Sequence, residues 1–109
     1  MKEAEFQRWV MEVAQRFHWQ VWHVPAPMRA TKSGFVGAKE AAGLPDLVMI
    51  HDDPPTLIFA EVKGSGGKLS PKQQTFLQLA RDVPGVGAYL FEPGLEEMIE
   101  TMLRTRRLL

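Results

Sequence analysis

The stretch that decides the fold is Gly43–Lys63, which reads GLPDLVMIHDDPPTLIFAEVK. It contains two short apolar runs, Leu47–Ile50 and Leu57–Val62, on either side of the turn-forming segment Asp52-Asp53-Pro54-Pro55. Apolar runs of this length around such a turn predict a β-hairpin. Because each run is apolar on both of its faces, we expect a sheet that is covered by helices on both sides.

The register of this hairpin brings two carboxylates together. If the turn is centred between Asp53 and Pro54, Asp46 lies directly opposite Glu61, and side chains paired in this way have Cβ atoms ~4.5–5.5 Å apart. Two carboxylates at that distance repel each other, so they need a cation between them or a raised pKa. Lys63 points to the same face as Glu61, because side chains alternate along a strand. An Asp, a Glu and a Lys at one end of a hairpin outline a metal-dependent hydrolytic site.

This constellation resembles the PD-(D/E)xK nuclease superfamily, with Pro45-Asp46 and Glu61-Val62-Lys63 as its two halves. Within that superfamily the chain is similar to the VRR-NUC family, and in particular to its small stand-alone phage-type members. The similarity extends over nearly the whole chain and is carried by four segments in this order: Gly43-Leu44-Pro45-Asp46-Leu47, Glu61-Val62-Lys63, Gly64-Ser65-Gly66-Gly67 and Leu69-Ser70-Pro71-Lys72-Gln73. Each segment alone is a weak signal, whereas the ordered set is specific.

The resemblance implies a DNA endonuclease that depends on Mg²⁺, for which Mn²⁺ can substitute. Asp46 and Glu61 would be the carboxylate ligands of the metal, with the backbone carbonyl of Val62 as a third ligand. Mg²⁺ prefers hard oxygen ligands and keeps several waters, so a few carboxylates suffice. Lys63 would stabilise the attacking hydroxide or the transition state as a point charge. Gln73 would complete the catalytic site.

An N-terminal amphipathic helix is predicted over Glu3–Phe17 and supplies a further acidic candidate. Its apolar stripe consists of Phe6, Val10, Val13, Ala14 and Phe17. At about 100° per residue, Glu3 falls roughly 20° from Val10, whereas Glu5 falls about 140° away from it. Helix phase and the family resemblance therefore both select Glu3 as a catalytic residue, which could hold a second metal or a water. The alternative is that Glu3 only stabilises the helix N-terminus through the macrodipole.

The remaining elements complete an α/β pattern. We expect a strand at Trp19–Val24 and a helix that begins at the N-cap Ser70, has Pro71 at its first position and Gln73 in a capping box, and ends near Arg81. A fourth strand is predicted at Val86–Phe91, followed by a helix over Leu95–Leu108 with Met98, Met102 and Leu103 facing inward. The order αβββαβα resembles the restriction-endonuclease-like core, a mixed sheet flanked by helices.

Length and composition indicate one VRR-NUC-like domain over residues 1–109. The chain has no cysteine, which excludes disulfides and thiolate metal sites. No apolar run approaches the ~20 residues of a membrane span, and Met-Lys-Glu is not the start of a signal peptide. We therefore expect no membrane partner and a cytoplasmic location, which the resemblance places in a bacterial or phage-infected cell.

The charges are unevenly distributed although the formal net charge is +0. Val62–Ala80 contains lysines and no acid, and Val13–Lys39 likewise contains only basic charges. The long segment Pro25–Gly43, with one helical turn predicted around Ala38–Ala42, ends just before Asp46, and long loops in compact domains are commonly functional. The expected DNA-binding residues are Arg29, Lys32, Lys39, Lys68 and Lys72, with scattered solvated charges as the alternative.

Other catalytic motifs do not fit, since Gly67-Lys68 is followed by Leu69 rather than by the Ser or Thr of a P-loop. The three histidines have no metal-ligand spacing, although His23 could line the cleft.

The resemblance further suggests a homodimer that cleaves branched DNA in the manner of a Holliday junction resolvase, since two-fold symmetry would match paired nicks. Flap or nonspecific duplex cleavage, or a non-catalytic nucleic-acid-binding module of the same fold, are the alternatives. The candidate interface residues are Trp9, Trp19, Trp22, Met98, Met102, Leu108 and Leu109.

Overall fold

The computed structural model describes residues 1–25 and 42–109. The elements in chain order are α1 (Glu3–Arg16), β1 (Gln20–His23), β2 (Leu47–Asp52), β3 (Pro55–Val62), α2 (Pro71–Arg81), β4 (Val86–Phe91) and α3 (Glu96–Thr105). The candidate DNA-binding residues Arg29, Lys32 and Lys39, and all but the last residue of the helical turn predicted at Ala38–Ala42, lie outside the described residues. The predicted element order is confirmed in the described part of the chain.

The strands form one mixed sheet in the order β1-β2-β3-β4. β1 and β2 are antiparallel, as are β2 and β3, whereas β3 and β4 are parallel. A parallel pair needs a crossover connection, which α2 provides. The architecture is therefore the predicted α/β arrangement, a mixed sheet flanked by helices, and it is consistent with a restriction-endonuclease-like fold.

The hairpin between β2 and β3 has the predicted register. His51 pairs with Thr56, and Leu47 pairs with Ala60. One further step along the same register places Asp46 opposite Glu61, at the end of β2 where the chain enters the sheet. Asp46 is also held on its other side, because the backbone N–H of Val24 donates a hydrogen bond of 2.7 Å to the Asp46 carbonyl.

The core lies between one face of the sheet and the helices α1 and α3. Its fully buried members include Phe6, Val10, Leu47, Met49, Ile58, Phe91, Ile99 and Leu103. Trp19 is 2% exposed and Met102 is 1% exposed, and the Trp19 indole N–H donates to the Leu103 carbonyl at 2.8 Å. Both side chains fill the core of a single protomer, so the expectation that they contact a second subunit is wrong.

The opposite face of the sheet is only partly covered in the described part of the chain. α2 packs over β3 and β4, with Phe76 edge-on to Phe59 at a ring separation of 5.2 Å. Over β1 and β2 on this face, Trp22 is 51% exposed and Ile50 is 41% exposed. A helix about 10 Å across spans roughly two strands at ~4.8 Å spacing, which explains why α2 covers half of the sheet. Helices therefore lie on both faces of the sheet, as expected, although Trp22 and Ile50 remain exposed among the residues described.

The last helix is shorter than predicted. α3 ends at Thr105 rather than Leu108, because Arg106 takes a left-handed conformation with φ 59°. Ile99 rather than Met98 lies in the core beside Met102 and Leu103, which is the i, i+3, i+4 spacing of one helix face, whereas Met98 is half-buried. No helix in the described ranges is long and apolar enough to cross a membrane.

Candidate active site

The two carboxylates predicted from the register meet at the end of the β2–β3 hairpin. Oδ2 of Asp46 accepts a hydrogen bond of 2.8 Å from the backbone N–H of Val62. This bond fixes the Asp46 carboxylate against β3 beside Glu61. The positions of both groups follow from the alternation of the two strands, which aims Asp46 and Glu61 at the same face of the sheet.

Glu61 is a buried carboxyl with an incomplete set of partners. The side-chain amide of Gln73 donates to Oε1 of Glu61 at 2.9 Å, and Nζ of Lys63 lies 3.6 Å from the same oxygen. The residue is only 3% exposed, and its Oε2 has no hydrogen-bond partner. Buried polar atoms are normally satisfied, so an unpaired carboxylate oxygen marks a site that calls for a ligand.

Burial raises the pKa of the Glu61 carboxyl from 4.5 to about 8. The next largest cause is the negative charge of Asp46, while the Lys63 ammonium acts in the opposite direction and lowers the pKa. A carboxyl in this condition gains strongly from a cation, which would supply the charge compensation that Lys63 alone does not. The donor set is made of hard oxygens, which fits Mg²⁺ or Mn²⁺.

Lys63 is held in place by a glycine in the following loop. A Cβ at Gly67 would lie 2.9 Å from Cβ and 3.4 Å from Cδ of Lys63. The aliphatic part of Lys63 therefore packs directly on the backbone of Gly67, and its side chain is only 17% exposed. This contact directs the ammonium group towards Glu61 rather than into solvent.

The N-terminus of α2 forms a wall of the site. The Ser70 hydroxyl accepts from the Gln73 backbone N–H at 3.2 Å, and the Gln73 side chain accepts from the Ser70 backbone N–H at 2.8 Å, which confirms the predicted capping box. The same Gln73 amide uses its N–H₂ group on Glu61. Gly43, with φ +96°, brings the segment before Asp46 against α2, since a Cβ there would lie 2.8 Å from the Lys72 carbonyl oxygen.

Glu3 lies at the rim of the same cleft. The cleft is a cavity of about 340 Å³ lined by Glu3, Val24, Pro25, Ala42, Gly43, Leu44, Asp46, Glu61, Lys63, Ser70 and Gln73. The start of α1 is anchored beside it, because the Ser65 backbone N–H donates to the Met1 carbonyl at 3.2 Å. Glu3 is exposed, and among the described residues no three acidic or histidine side chains cluster closely enough to form a metal site. Glu5 does not line the cleft.

The other predicted residues are placed as follows. Lys68 and Lys72 are exposed on the loop and the first turn of α2 that border the cleft. His23 does not line it, since His23 pairs with Leu47 and so faces away from Asp46. The sequence alone did not identify Val24 and Pro25 as cleft residues, because the pairing of β1 with β2 is not set by a short turn. Continuing that pairing beyond His23 would have found them.

Larger cavities exist elsewhere in the described part of the molecule but lack this chemistry. A cavity of about 630 Å³ runs along α3 and the C-terminal residues, and its lining includes the apolar side chains of Leu95, Met98, Met102 and Leu109. Another, of about 380 Å³, is lined by the Ala42–Leu44 segment and by α2. Only one acidic residue, Glu97, lines either of them. The convergence of Asp46, Glu61 and Lys63 therefore makes the smaller cleft the candidate active site.

A mixed α/β sheet that presents an Asp, a Glu and a Lys at the end of a hairpin defines the class of restriction-endonuclease-like nucleases. The VRR-NUC domain model matches residues 7–90, and the chain belongs to this nuclease-type family, whose substrate is nucleic acid. No curated protein and no solved structure gives a significant match. The matched region contains Asp46, Glu61, Lys63 and Gln73 but not Glu3.

Proposed function

We propose that this protein is a divalent-metal-dependent DNA endonuclease that hydrolyses phosphodiester bonds at the Asp46–Glu61–Lys63 cleft. The observation that carries the proposal is the buried Glu61, whose Oε2 has no hydrogen-bond partner and which shares its site with Asp46. A purely structural site would not benefit from two converging acids, because their burial and repulsion destabilise the fold.

Mg²⁺ or Mn²⁺ would be held by Asp46, Glu61 and the Val62 backbone carbonyl. When bound, the cation would supply Lewis-acid activation of water and neutralise charge on the phosphate. Asp46 is already oriented for this role by its bond from the Val62 N–H. Glu61 has one oxygen held by Gln73 and the other free of protein partners, which leaves a donor for the metal.

Lys63 and Gln73 both contact Oε1 of Glu61, and each has a different role in the chemistry. Lys63 carries a positive charge 3.6 Å from Oε1, where it stabilises the negative charge that develops on the attacking oxygen and on the phosphate. Gln73 orients the Glu61 carboxylate, and its place in the capping box makes that orientation rigid. The bond from Gln73 links the first turn of α2 to the hairpin.

Glu3 is the proposed acidic partner across the cleft, where it would hold a second cation or a water rather than the first metal. Its place on the cleft wall supports this role, and Glu5 on the same helix offers a matched control. Glu3→Ala should reduce cleavage strongly, whereas Glu5→Ala should leave the rate close to that of the unmodified protein. Equal effects of the two substitutions on the cleavage rate would remove Glu3 from the site.

The proposed DNA-binding surface surrounds the cleft with basic side chains. Lys68 and Lys72 are exposed beside it and would bind phosphates on either side of the scissile bond. Arg29, Lys32 and Lys39 belong to the segment that leads into the site and are proposed to bind the backbone as well. Such contacts make affinity fall steeply with salt concentration.

We further propose that the substrate is branched DNA, of which a four-way junction is the favoured form, and that the protein acts as a homodimer. Two sites related by a two-fold axis would match the two strands that a junction resolvase must nick. The apolar cavity along α3, with Met98 and Leu109 on its lining, supports an interface on that side of the molecule. Trp9 and Leu108 contribute less, because both pack partly against the protomer's own core.

A cleavage assay separates these activities. Labelled four-way junction, flap, linear duplex and single-stranded DNA are incubated with Mg²⁺, with Mn²⁺ or with chelator. We expect metal-dependent internal cleavage, fastest on the junction. Tight binding without cleavage of any substrate would instead support the second candidate, a non-catalytic nucleic-acid-binding module. Equal rates on junction and linear duplex would remove the structural specificity but leave the nuclease.

A further inference from the structure

Trp22 is an exposed aromatic side chain on the face of the sheet that carries the active site. It pairs with Val48 in the register of β1 and β2, and two steps further along the same pairing Val24 lies opposite Asp46. Side chains two residues apart on a strand share a face, so Trp22 and Asp46 point to the same side of the sheet. Trp22 and Asp46 are diagonal neighbours on adjacent strands, and residues in this arrangement lie ~7–8 Å apart.

The position of Trp22 is fixed relative to the cleft. Val24 and Pro25, which follow Trp22 directly, line the cleft, and the Val24 N–H is bonded to the Asp46 carbonyl at 2.7 Å. Trp22 is therefore held at a fixed distance from Asp46, equivalent to about two nucleotides at ~3.4 Å per nucleotide. Of the three tryptophans, Trp19 is 2% exposed and Trp9 is half-buried against Phe6, whereas Trp22 is 51% exposed.

The surroundings of Trp22 suit an uncharged, flat ligand. Its neighbours on this face are Val48, which is half-buried, Ile50, which is 41% exposed, and the uncharged Gln20. Among the described residues that line the cleft, Lys63 is the one cation. Phosphate would thus be bound in the cleft. The adjoining surface presents the apolar Trp22 ring to the group attached to that phosphate.

We propose that Trp22 stacks on an unpaired base of the substrate strand, next to the phosphate held in the cleft. This inference rests on the proposed nuclease function and names the residue that would favour unpaired or branched DNA. Bases in an intact duplex are already stacked on one another, whereas a base at a branch point is free to stack on a protein ring. Base–aromatic stacking tolerates any base, so the preference is for structure rather than sequence.

Fluorescence titrations of three substitutions, Trp22→Leu, Trp22→Phe and Val83→Ala, test the proposal. They are made in a Glu61→Gln background, so that DNA is bound without being cut. Loss of one stacked base corresponds to an affinity roughly 5- to 150-fold weaker. Trp22→Leu should show this loss for single-stranded and branched oligonucleotides and a change of less than about 2-fold for blunt duplex. Trp22→Phe should retain most of the affinity, and Val83→Ala, an exposed apolar residue beyond the far end of α2, should change nothing.

A second readout does not depend on affinity. An unpaired oligonucleotide should quench part of the intrinsic tryptophan fluorescence, and the quenched part should vanish in Trp22→Phe. Equal weakening of duplex and single-stranded binding in Trp22→Leu, or unchanged quenching in Trp22→Phe, would overturn the proposal. A lower molecular mass for Trp22→Leu than for the unmodified protein in light scattering would also overturn the proposal, because it would show that this face is a subunit interface. All of these are binding measurements, so an outcome against Trp22 is distinct from a failure of the nuclease activity.

Discussion

At the scale of single residues, Glu61 is a described carboxyl whose burial raises its pKa strongly. Its pKa of about 8 means that between pH 4.5 and 8 the unfolded chain has released this proton while the folded chain still holds it. The free energy of unfolding therefore decreases as the pH rises through this window. The contribution of Glu61 to the free energy of unfolding is fully present below pH 4.5 and is lost above pH 8.

We accordingly predict that the metal-free protein loses stability on the alkaline side. Urea denaturation in chelator should give a lower free energy of unfolding at pH 8.5 than at pH 5.5, with a Glu61 contribution on the order of a few kcal/mol. Glu61→Gln should flatten this dependence, whereas Glu5→Gln, at an exposed position, should retain it. Identical pH profiles for the unmodified protein and Glu61→Gln would show that the carboxyl is not perturbed as described.

Gly67 offers a test of how Lys63 is positioned. Gly67→Ala introduces a Cβ 2.9 Å from that of Lys63, so the lysine or the loop must shift and the placement of the ammonium beside Glu61 should change. A displacement of about 1 Å in an active site can cost up to about 10²-fold in rate, compared with roughly 10²–10³-fold for removal of a transition-state stabiliser in Lys63→Ala. Single-turnover cleavage should show this loss, while the increase in melting temperature on adding Mg²⁺ should be unchanged.

The matched control for that substitution is in the same loop. Gly66 has φ +79° and open space around its Cβ position, so Gly66→Ala strains the backbone without touching Lys63. It should lower the melting temperature but not the cleavage rate measured well below it. If both alanine variants slowed cleavage equally, a general loosening of the loop would be responsible instead.

At the scale of elements, helix α2 has two functions at its first turn. Ser70 only caps the helix, whereas Gln73 caps it and also binds Glu61. Ser70→Ala should therefore cost about 1 kcal/mol of stability with little change in the cleavage rate. Gln73→Ala should cost a similar amount and also slow cleavage. Comparable rates for the two variants, measured at equal fractions of folded protein, would mean that the Gln73–Glu61 bond has no catalytic role.

The elements also show what could be predicted from the sequence. The hairpin register followed from turn chemistry and alternation, so the meeting of Asp46 with Glu61 was predictable and is confirmed. The capping box at Ser70 is equally local. The end of α3 was not predictable from the sequence. The left-handed residue that ends this helix is Arg106, whereas the usual signal for such an end is a glycine. The pairing that brings Val24 to Asp46 joins distant segments, and neither periodicity nor turn chemistry reports such contacts.

At the scale of the whole molecule, the structure shows which apolar side chains lie in the core and which lie at the surface. Composition alone does not show this. Trp19 and Met102 belong to the core, whereas Met98 and Leu109 line a cavity on the α3 side, and Trp22 lies on the other side of the sheet. The Gly-x-Pro-Asp and Glu-x-Lys segments predicted the candidate site, but the sequence could not show which tryptophan faces solvent.

The proposed dimer can be tested by comparing a substitution on the α3 side of the molecule with one on α2. Light scattering at micromolar concentration should give a dimer mass, and Met98→Glu should convert it to a monomer mass because a buried, unpaired charge is costly. Leu79→Glu on α2, where the native side chain is 65% exposed, is the control and should remain dimeric. A monomer mass for the unmodified protein, with and without junction DNA, would exclude the dimer.

The central claim is that Asp46, Glu61 and Lys63 form the catalytic centre of a metal-dependent nuclease. It is tested most directly by the single-turnover cleavage rate of Asp46→Ala, in saturating Mg²⁺ and at DNA concentrations where binding is measured in the same samples. We predict that cleavage is abolished while DNA binding is largely retained, because the substitution removes a metal ligand but no basic contact. Cleavage by Asp46→Ala at the rate of the unmodified protein would contradict the claim and place the active site elsewhere.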